Sequence, residues 1–217
     1  MKLGDRLAAA AALSRGENVI DIGSDHGFLP VWMLVNGKCV RAAACDIHRM
    51  PLERCIATAE KHGVAGKMEF FLSDGLDSVP GTYDTAFVCG MGGIMIKSII
   101  SRAQGRVSRW VAQPMTNAEL LRAYFWGAGY TIAAESYAVE GGKPYALLAA
   151  EYTGAKQKYS YADTYLGKAR PQSAEYARYV QKVLSSARKR VAGKISQNAD
   201  HTDDSLLAEE CLRLLAR

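Results

Sequence analysis

Asn18-Val19-Ile20-Asp21-Ile22-Gly23-Ser24-Asp25-His26-Gly27-Phe28-Leu29-Pro30 is the stretch that decides the fold. Its first five residues form a short β-branched run that stops at Gly23. From Phe28 the chain reads as a helix, with Pro30 tolerated in the first turn. A strand that enters a glycine turn and leaves as a helix is the opening half of a βαβ unit. The pattern continues outward. Residues 5–15 predict a helix ahead of it. Downstream, 42–47 predict a second strand with an acid near its end, 52–62 a helix closed by Gly63, and 68–72 a third strand ending at Ser73-Asp74-Gly75. A fourth strand, 82–89, runs into Gly90-Met91-Gly92-Gly93, followed by a helix over 94–102 and a fifth strand over 109–113. The next helix, 117–127, has Thr116 or Asn117 as its cap. Strands over 130–139 and 145–152 then follow with only a turn between them, which makes a hairpin. The expected class is α/β: a mostly parallel sheet covered by helices on both faces, with an antiparallel last strand.

The chain has 217 residues, 49% of them hydrophobic, with a net charge of +5. The opening Met1-Lys2-Leu3-Gly4-Asp5-Arg6 meets charge before any apolar core, so no secretory signal is expected. Nor does any stretch approach the roughly 20 apolar residues of a membrane span. A soluble, cytoplasmic protein without a membrane partner is the expectation. Cys39, Cys45, Cys55, Cys89 and Cys211 are odd in number and form no CxxC pair, which predicts reduced, buried thiols rather than disulfides or a zinc site. The four histidines lack metal-ligand spacing, and no metal is expected.

After Thr153-Gly154 the composition changes, so two domains are expected, 1–154 and 155–217. Residues 172–195 place Tyr176, Val180, Val183, Ala187 and Val191 on one helical stripe, and 203–216 carry Leu206, Leu207, Leu214 and Leu215. These read as a small antiparallel helical hairpin of coiled-coil type that leans on the first domain. Residues 156–195 hold ten Lys or Arg against two acids, Asp163 and Glu175. Such a basic face suits a polyanion such as RNA, although a solvated helix face has the same composition. Tyr159, Tyr161 and Tyr165 could stack on bases, whereas Tyr176 and Tyr179 read as core.

In a doubly wound sheet, ligands sit outside the carboxyl ends of the strands. Those ends supply Asp21 to Gly27, then Asp46-Ile47, Asp74-Gly75 and Gly90 to Gly93. An acid after the second strand suits a ribose diol, because one carboxylate accepts from both hydroxyls. Asp74 suits an exocyclic amine such as adenine N6. The patterns G-x-G-x-x-G and G-x-x-x-x-G-K-[ST] are both absent, and Asp21 and Asp25 would repel a pyrophosphate. A nucleoside cofactor with a positive centre and no phosphate fits better, namely S-adenosyl-L-methionine. The expected cofactor contacts are Asp21, Gly23, Ser24, Gly27, Asp46, Ile47, Asp74, Gly75, Gly90 and Met91.

The ten residues Asp21 to Pro30 resemble the signature of the bacterial tRNA (adenine(22)-N1)-methyltransferases, a class I methyltransferase family with a Rossmann-like sheet. Gly90-Met91-Gly92-Gly93 is similar to that family's fourth-strand motif, and Gln113-Pro114 to its fifth-strand Gln-Pro. The likeness extends through Gly141-Gly142-Lys143-Pro144-Tyr145 into the helical extension. Two positions depart: Met115-Thr116 stand between Gln-Pro and Asn117, and the second-strand acid is Asp46 where Glu is common. The resemblance implies direct methyl transfer to adenine N1 of tRNA, with no covalent intermediate and no metal. The absence of a [DNS]-P-P-[FY] tetrapeptide after the fourth strand argues against an exocyclic amine as target. Asp25 is the first candidate for a role at the base and His26 the second. Asp25 could instead cap the next helix or hold the cofactor's ammonium, and His26 could be a packed core histidine. Gly92, Gln113 and Pro114 are expected at the substrate base, with Met91 placed either to hold it or to pack. Lys168, Arg170, Lys182, Arg188, Lys189 and Arg190 are expected on the tRNA body, the protein acting as a monomer. A small-molecule methyltransferase with a dimerising hairpin, and a non-catalytic RNA-binding protein, are the competing readings.

Overall fold

The computed structural model describes residues 1–103 and 105–217. Seven strands form one sheet in the order β3-β2-β1-β4-β5-β7-β6. They are β1 (Asn18–Ile22), β2 (Arg41–Asp46), β3 (Met68–Leu72), β4 (Tyr83–Met91), β5 (Val107–Pro114), β6 (Tyr130–Glu140) and β7 (Lys143–Tyr152). The pairs β1–β2, β2–β3, β1–β4 and β4–β5 are parallel, whereas β7 lies antiparallel between β5 and β6. The expected antiparallel last strand is therefore present, inserted one place inside the edge. The chain steps outward from β1 to β3, then crosses back to β4, so the order reverses between β1 and β4. That switch point opens a crevice at the strands' carboxyl ends.

The period-two alternation of β1 divides the core between the two sheet faces. Ile20 and Ile22 join Val88, Ile96, Trp110 and Phe125 on one face. Val19 joins Leu29, Ala44, Cys55 and Phe87 on the other. The second face is covered by α1 (Asp5–Ala12), α2 (Phe28–Val35) and α3 (Arg49–Lys61), and the first by α4 (Gly93–Arg102) and α5 (Ala118–Gly127). Asp21 shares the face of Val19, beneath α1. The α1 helix ends three residues earlier than expected, and α3 begins three earlier. Asn117 occupies the N-cap of α5 in a left-handed conformation (φ 57°), with no side-chain cap bond.

Beyond β7 the extension contains three helices, not two: α6 (Tyr161–Leu166), α7 (Ala174–Ser196) and α8 (Thr202–Leu215). The α6 turn is closed by a capping box between Ser160 and Asp163, a signal carried by the sequence itself. Helices α7 and α8 pair through Val180, Val183, Ala187, Leu207 and Cys211, and the cluster continues onto Tyr137 of β6 and Ala146 of β7. Tyr176 and Tyr179 are core residues, as expected. Arg122 of α5 locks this seam. Its fully buried guanidinium pairs with Glu135 at 3.1 and 3.3 Å and donates to the carbonyls of Thr164 and Tyr165 at 2.9 and 3.0 Å. Among the described residues, no helix is long and apolar enough to cross a membrane.

Candidate active site

The turn after β1 is stapled to the end of β2. Both Gly23 and Ser24 donate their amides to the Cys45 carbonyl, at 2.8 and 3.1 Å, so Asp46 emerges beside the turn. Two glycines are required here. Gly23 has φ +75°, and a Cβ on it would lie 2.1 Å from the Met91 Cε. Gly27 has φ +64°, and its Cβ would meet the Cys55 Sγ at 2.3 Å and the Cys55 Cα at 3.2 Å, pushing α3 off the turn. Between them His26 holds a left-handed conformation (φ 66°), which a side-chain-bearing residue adopts at a cost. Its ring is exposed and stacks on Phe28 at 5.2 Å and 5°. It is not a core histidine.

Four acids approach this turn in different states. Asp21 is buried, and burial pushes its carboxyl up to about 6; a hydrogen bond from Ser24 opposes this, the Asp46 charge adds to it, and Arg6 opposes it. Asp46 is half-buried, with one oxygen accepting from the His48 amide at 2.8 Å, and Ile47 beside it is exposed. The Asp46 carbonyl accepts from the Ser73 amide at 2.9 Å, which draws the end of β3 alongside. Asp74 is exposed there, and Arg102 of α4 takes its two oxygens at 2.8 and 3.1 Å. That pairing holds its carboxyl below the usual carboxylate range. Gly75 follows with φ +58°, and its carbonyl accepts from the Cys45 thiol at 3.3 Å. Asp25 is also exposed and is gripped by Arg54 of α3 at 2.6 and 2.9 Å. It does not cap α2, whose N-cap is Gly27 with no side-chain bond.

The raised Asp21 carboxyl has a defined sign. Between the unfolded value near 3.8 and the folded value near 6, the native protein holds a proton that the unfolded chain has released. Its contribution to stability is complete below the lower value and is lost as pH rises through the upper one. A cationic ligand beside Asp21 favours the ionised form and reverses that penalty. Affinity for such a ligand is expected to rise about tenfold from pH 5 to 7 and then level off, with proton release on binding. Calorimetry with S-adenosylmethionine in buffers of different ionisation enthalpy measures both. Asp21→Asn should abolish the slope; a slope unchanged in that variant would remove Asp21 from the crevice's charge balance.

The ends of β4 and β5 close the other side. The β4–β5 register shifts between Cys89 and Met91, and Gly90 sits at the irregularity with φ +80°. Its amide donates to the Gln113 Oε1 at 3.1 Å, and the same oxygen accepts from Arg6 Nη1 of α1 at 2.6 Å. Arg6 Nε donates to Glu140 at the end of β6, at 3.1 Å. Gln113 is fully buried and Pro114 is buried, and the Gln113 amide spends its hydrogen bonds within the chain. The Met91 carbonyl accepts from the Met115 amide at 2.8 Å, and the Thr116 carbonyl accepts from the Gly93 amide at 2.8 Å. Gly92 caps α4 beside Thr116.

Thiols stand behind these strand ends on both sheet faces, Cys45 in one core cluster and Cys55 and Cys89 in the other. Burial pushes Cys45 and Cys55 up to about 12 and Cys89 higher still, with the Asp21 charge adding to each. All five cysteines are free. Among the described residues, no group of three or more His, Cys, Asp or Glu side chains is placed to hold a metal ion.

Known proteins resemble this chain in sequence and fold. The family described as "Methyltransferase domain" matches residues 3–148. The chain belongs to that methyltransferase family. Its relatives include the tRNA (adenine(22)-N(1))-methyltransferase of Bacillus subtilis strain 168, 31% identical over 156 residues. The match takes in 70% of this chain and 66% of that relative's length. Two solved structures match nearly end to end. Streptococcus pneumoniae Sp1610 in complex with S-adenosyl-L-methionine is 26% identical, with a TM-score of 0.85 over 99% of this chain and 100% of that one. The B. subtilis m1A22 tRNA methyltransferase TrmK is 26% identical, with a TM-score of 0.79 over 99% and 96%. The resemblance read from the Asp21 to Pro30 motif is thus borne out, as is the Rossmann-like fold class.

In this methyltransferase the basic extension is less free than its composition suggests. Arg170 pairs with Asp163 and Glu210, and Arg190 pairs at 2.7 Å with Asp204, a buried acid that also takes Lys194 at 2.9 Å. Lys168 lies over the Trp126 ring, and Lys182 over Tyr145. Arg188 and Lys189 are exposed, and among the described residues neither has a carboxylate partner. Tyr165 stacks under Arg190 and Tyr159 against Trp126. Sequence reasoning missed Arg6, Arg54, Arg102 and Glu140. No local signal marks them, since each reaches its partner across 28 or more positions.

Proposed function

We propose that this chain transfers a methyl group from S-adenosyl-L-methionine to N1 of an adenine in tRNA, position 22 by family membership. One observation carries the reading. Carboxylates Asp21 and Asp46 converge on the Gly23 turn, where a phosphate binder would present amides alone. The donor set fits a nucleoside cation: the second Asp46 oxygen for ribose hydroxyls, exposed Ile47 and Leu72 for the adenine faces, and Asp21 for positive charge. Gly23, Ser24, Gly27, Asp74, Gly75, Gly90 and Met91 complete that wall. S-adenosylmethionine, when bound, supplies an electrophilic methyl carbon on a sulfonium.

N1 of adenine carries a lone pair and no proton, so the chain's task is placement, exclusion of water and support for charge arriving on the ring. No covalent enzyme intermediate and no proton abstraction from N1 are needed. Asp25 and the exposed His26 stand at the rim where that charge develops, and Gly92 and Met91 line the side toward β5. N1 lies on the pairing edge of the base, so the nucleotide must leave its helix to react. Incubation with tritiated S-adenosylmethionine and unmodified tRNA, followed by nucleoside analysis, tests the reading. Label is expected in 1-methyladenosine; label confined to another nucleoside, or none, overturns it.

The extension, residues 155–217, holds the tRNA body through exposed cations, Arg188 and Lys189 foremost, in the cytoplasm where tRNA resides. Lys168, Arg170, Lys182 and Arg190 contribute positive potential while serving the fold. Changing Arg188 and Lys189 together to Ser is expected to lower the slope of log affinity against log salt by about 1.4 to 1.8. Filter binding from 50 to 300 mM salt measures it, and an unaltered slope would move the RNA to another face. The small-molecule alternative uses the hairpin for dimerisation, but Tyr176, Val180, Val183, Ala187 and Leu207 of its stripe pack within the chain, while Leu206 is exposed. A monomer is the corresponding expectation.

A further inference from the structure

Gly90 presents a bookkeeping problem for the backbone. At the register shift in β4 Gly90 is exposed, and its amide leaves the β4–β5 ladder for a side-chain acceptor. The Gln113 side-chain oxygen supplies it at 3.1 Å. A carboxamide has two faces, and rotated by 180° it would present its NH2 to this donor. The NH2 group donates to the Pro114 carbonyl at 3.2 Å, and Arg6 reinforces that choice from the oxygen side. Its Nη1 donates to the same oxygen at 2.6 Å, so a rotated amide would meet two donors rather than one. The guanidinium is itself aimed by Glu140 and by the Tyr145 ring, 6.0 Å away. One residue beyond Gly90, the Met91 methyl stands over Gly23.

We propose that Arg6 is a positioning residue for methyl transfer: it locks the Gln113 amide, which fixes the Gly90 irregularity and thereby where Met91 stands over the Gly23 turn. The proposal rests on the function proposed above. Arg6 touches neither reactant in this scheme. It acts from an N-terminal helix, through a side chain 107 positions away, on the strand end that borders the reacting groups.

The test combines one structural and one kinetic readout. In Arg6→Met the Gly90 amide should exchange with deuterium about tenfold faster, while Ala43 in the centre of β2 exchanges as before. The kcat for tRNA methylation should fall about tenfold or more, with KM for S-adenosylmethionine changed less than about threefold. Arg6→Lys keeps the charge but loses the fork that serves Glu140 and Gln113 together, and should show the same split in milder form. In a Gln113→Ala background, which leaves no amide to lock, Arg6→Met should change kcat less than about twofold further. Unchanged Gly90 exchange, or equal kcat losses in both backgrounds, overturns the proposal. Should a variant fold too poorly for kinetics, Gly90 exchange in Arg6→Lys decides. If the unmodified protein methylates no tRNA, the functional reading fails instead, and the exchange measurement still judges the lock.

Discussion

Replacing Arg122 by Met is expected to cost about 3 to 5 kcal/mol of stability, the range for removing one partner of a buried ion pair. The guanidinium is fully enclosed, and its partner Glu135 has a side chain only 4% exposed. Methionine fills much of the volume but leaves that carboxylate without a counter-charge, takes the guanidinium donor from the Thr164 carbonyl, and leaves the Tyr165 carbonyl with the Tyr179 hydroxyl at 3.1 Å. The melting temperature should drop roughly 10 °C or more. Damage should concentrate at the seam, because the same guanidinium ties α5 to α6 and, through the Tyr179 hydroxyl at 3.3 Å, to α7. Denaturant titration measures the loss. Adding Glu135→Leu to the variant should recover most of it, since an apolar pair of similar volume is near neutral at such sites. A single variant that melts within 2 °C of the parent would show that the seam is held elsewhere.

Asp46→Ala is expected to weaken S-adenosylmethionine binding about a hundredfold. Two hydroxyls donating to one carboxylate form charge-assisted bonds, together worth about 3 kcal/mol. The fold should be little changed: within the protein the carboxylate receives one bond, from the His48 amide, and it is half-exposed. Asp46→Glu should retain affinity within about tenfold, because the longer side chain keeps the acceptor. Calorimetry on the three proteins resolves the series. A Kd for Asp46→Ala within threefold of the parent would displace the ribose from the end of β2.

Elements whose burial follows their own period were legible in the sequence. The strands β1 to β4 announce themselves as short apolar runs, and their ends as glycines and acids, because a turn with positive φ favours Gly and a switch-point crevice collects polar side chains. The hairpin β6–β7 was legible for the same local reason. What escaped depends on pairs far apart in the chain. The +8 stretch of the extension looked like an open basic face, yet Glu210 and Asp204, contributed by α8, neutralise Arg170 and Arg190 from 40 and 14 positions away. Gln113 was legible as part of a motif but not as a buried strut, since its partner Arg6 lies at the other end of the domain. The six residues of α6 carry no amphipathic period, so only their capping box could have revealed them.

The thiols behind the strand ends have a chemical consequence. A sulfonium methyl donor alkylates soft nucleophiles readily, and a thiolate is the softest that a protein chain offers. Burial pushes the Cys45 and Cys55 thiols up to about 12 and raises that of Cys89 as well, so at neutral pH these sulfurs stay protonated. Burial and the neighbouring Asp21 charge thus hold these thiols in their least nucleophilic form, the form in which an alkylating donor nearby would leave them untouched.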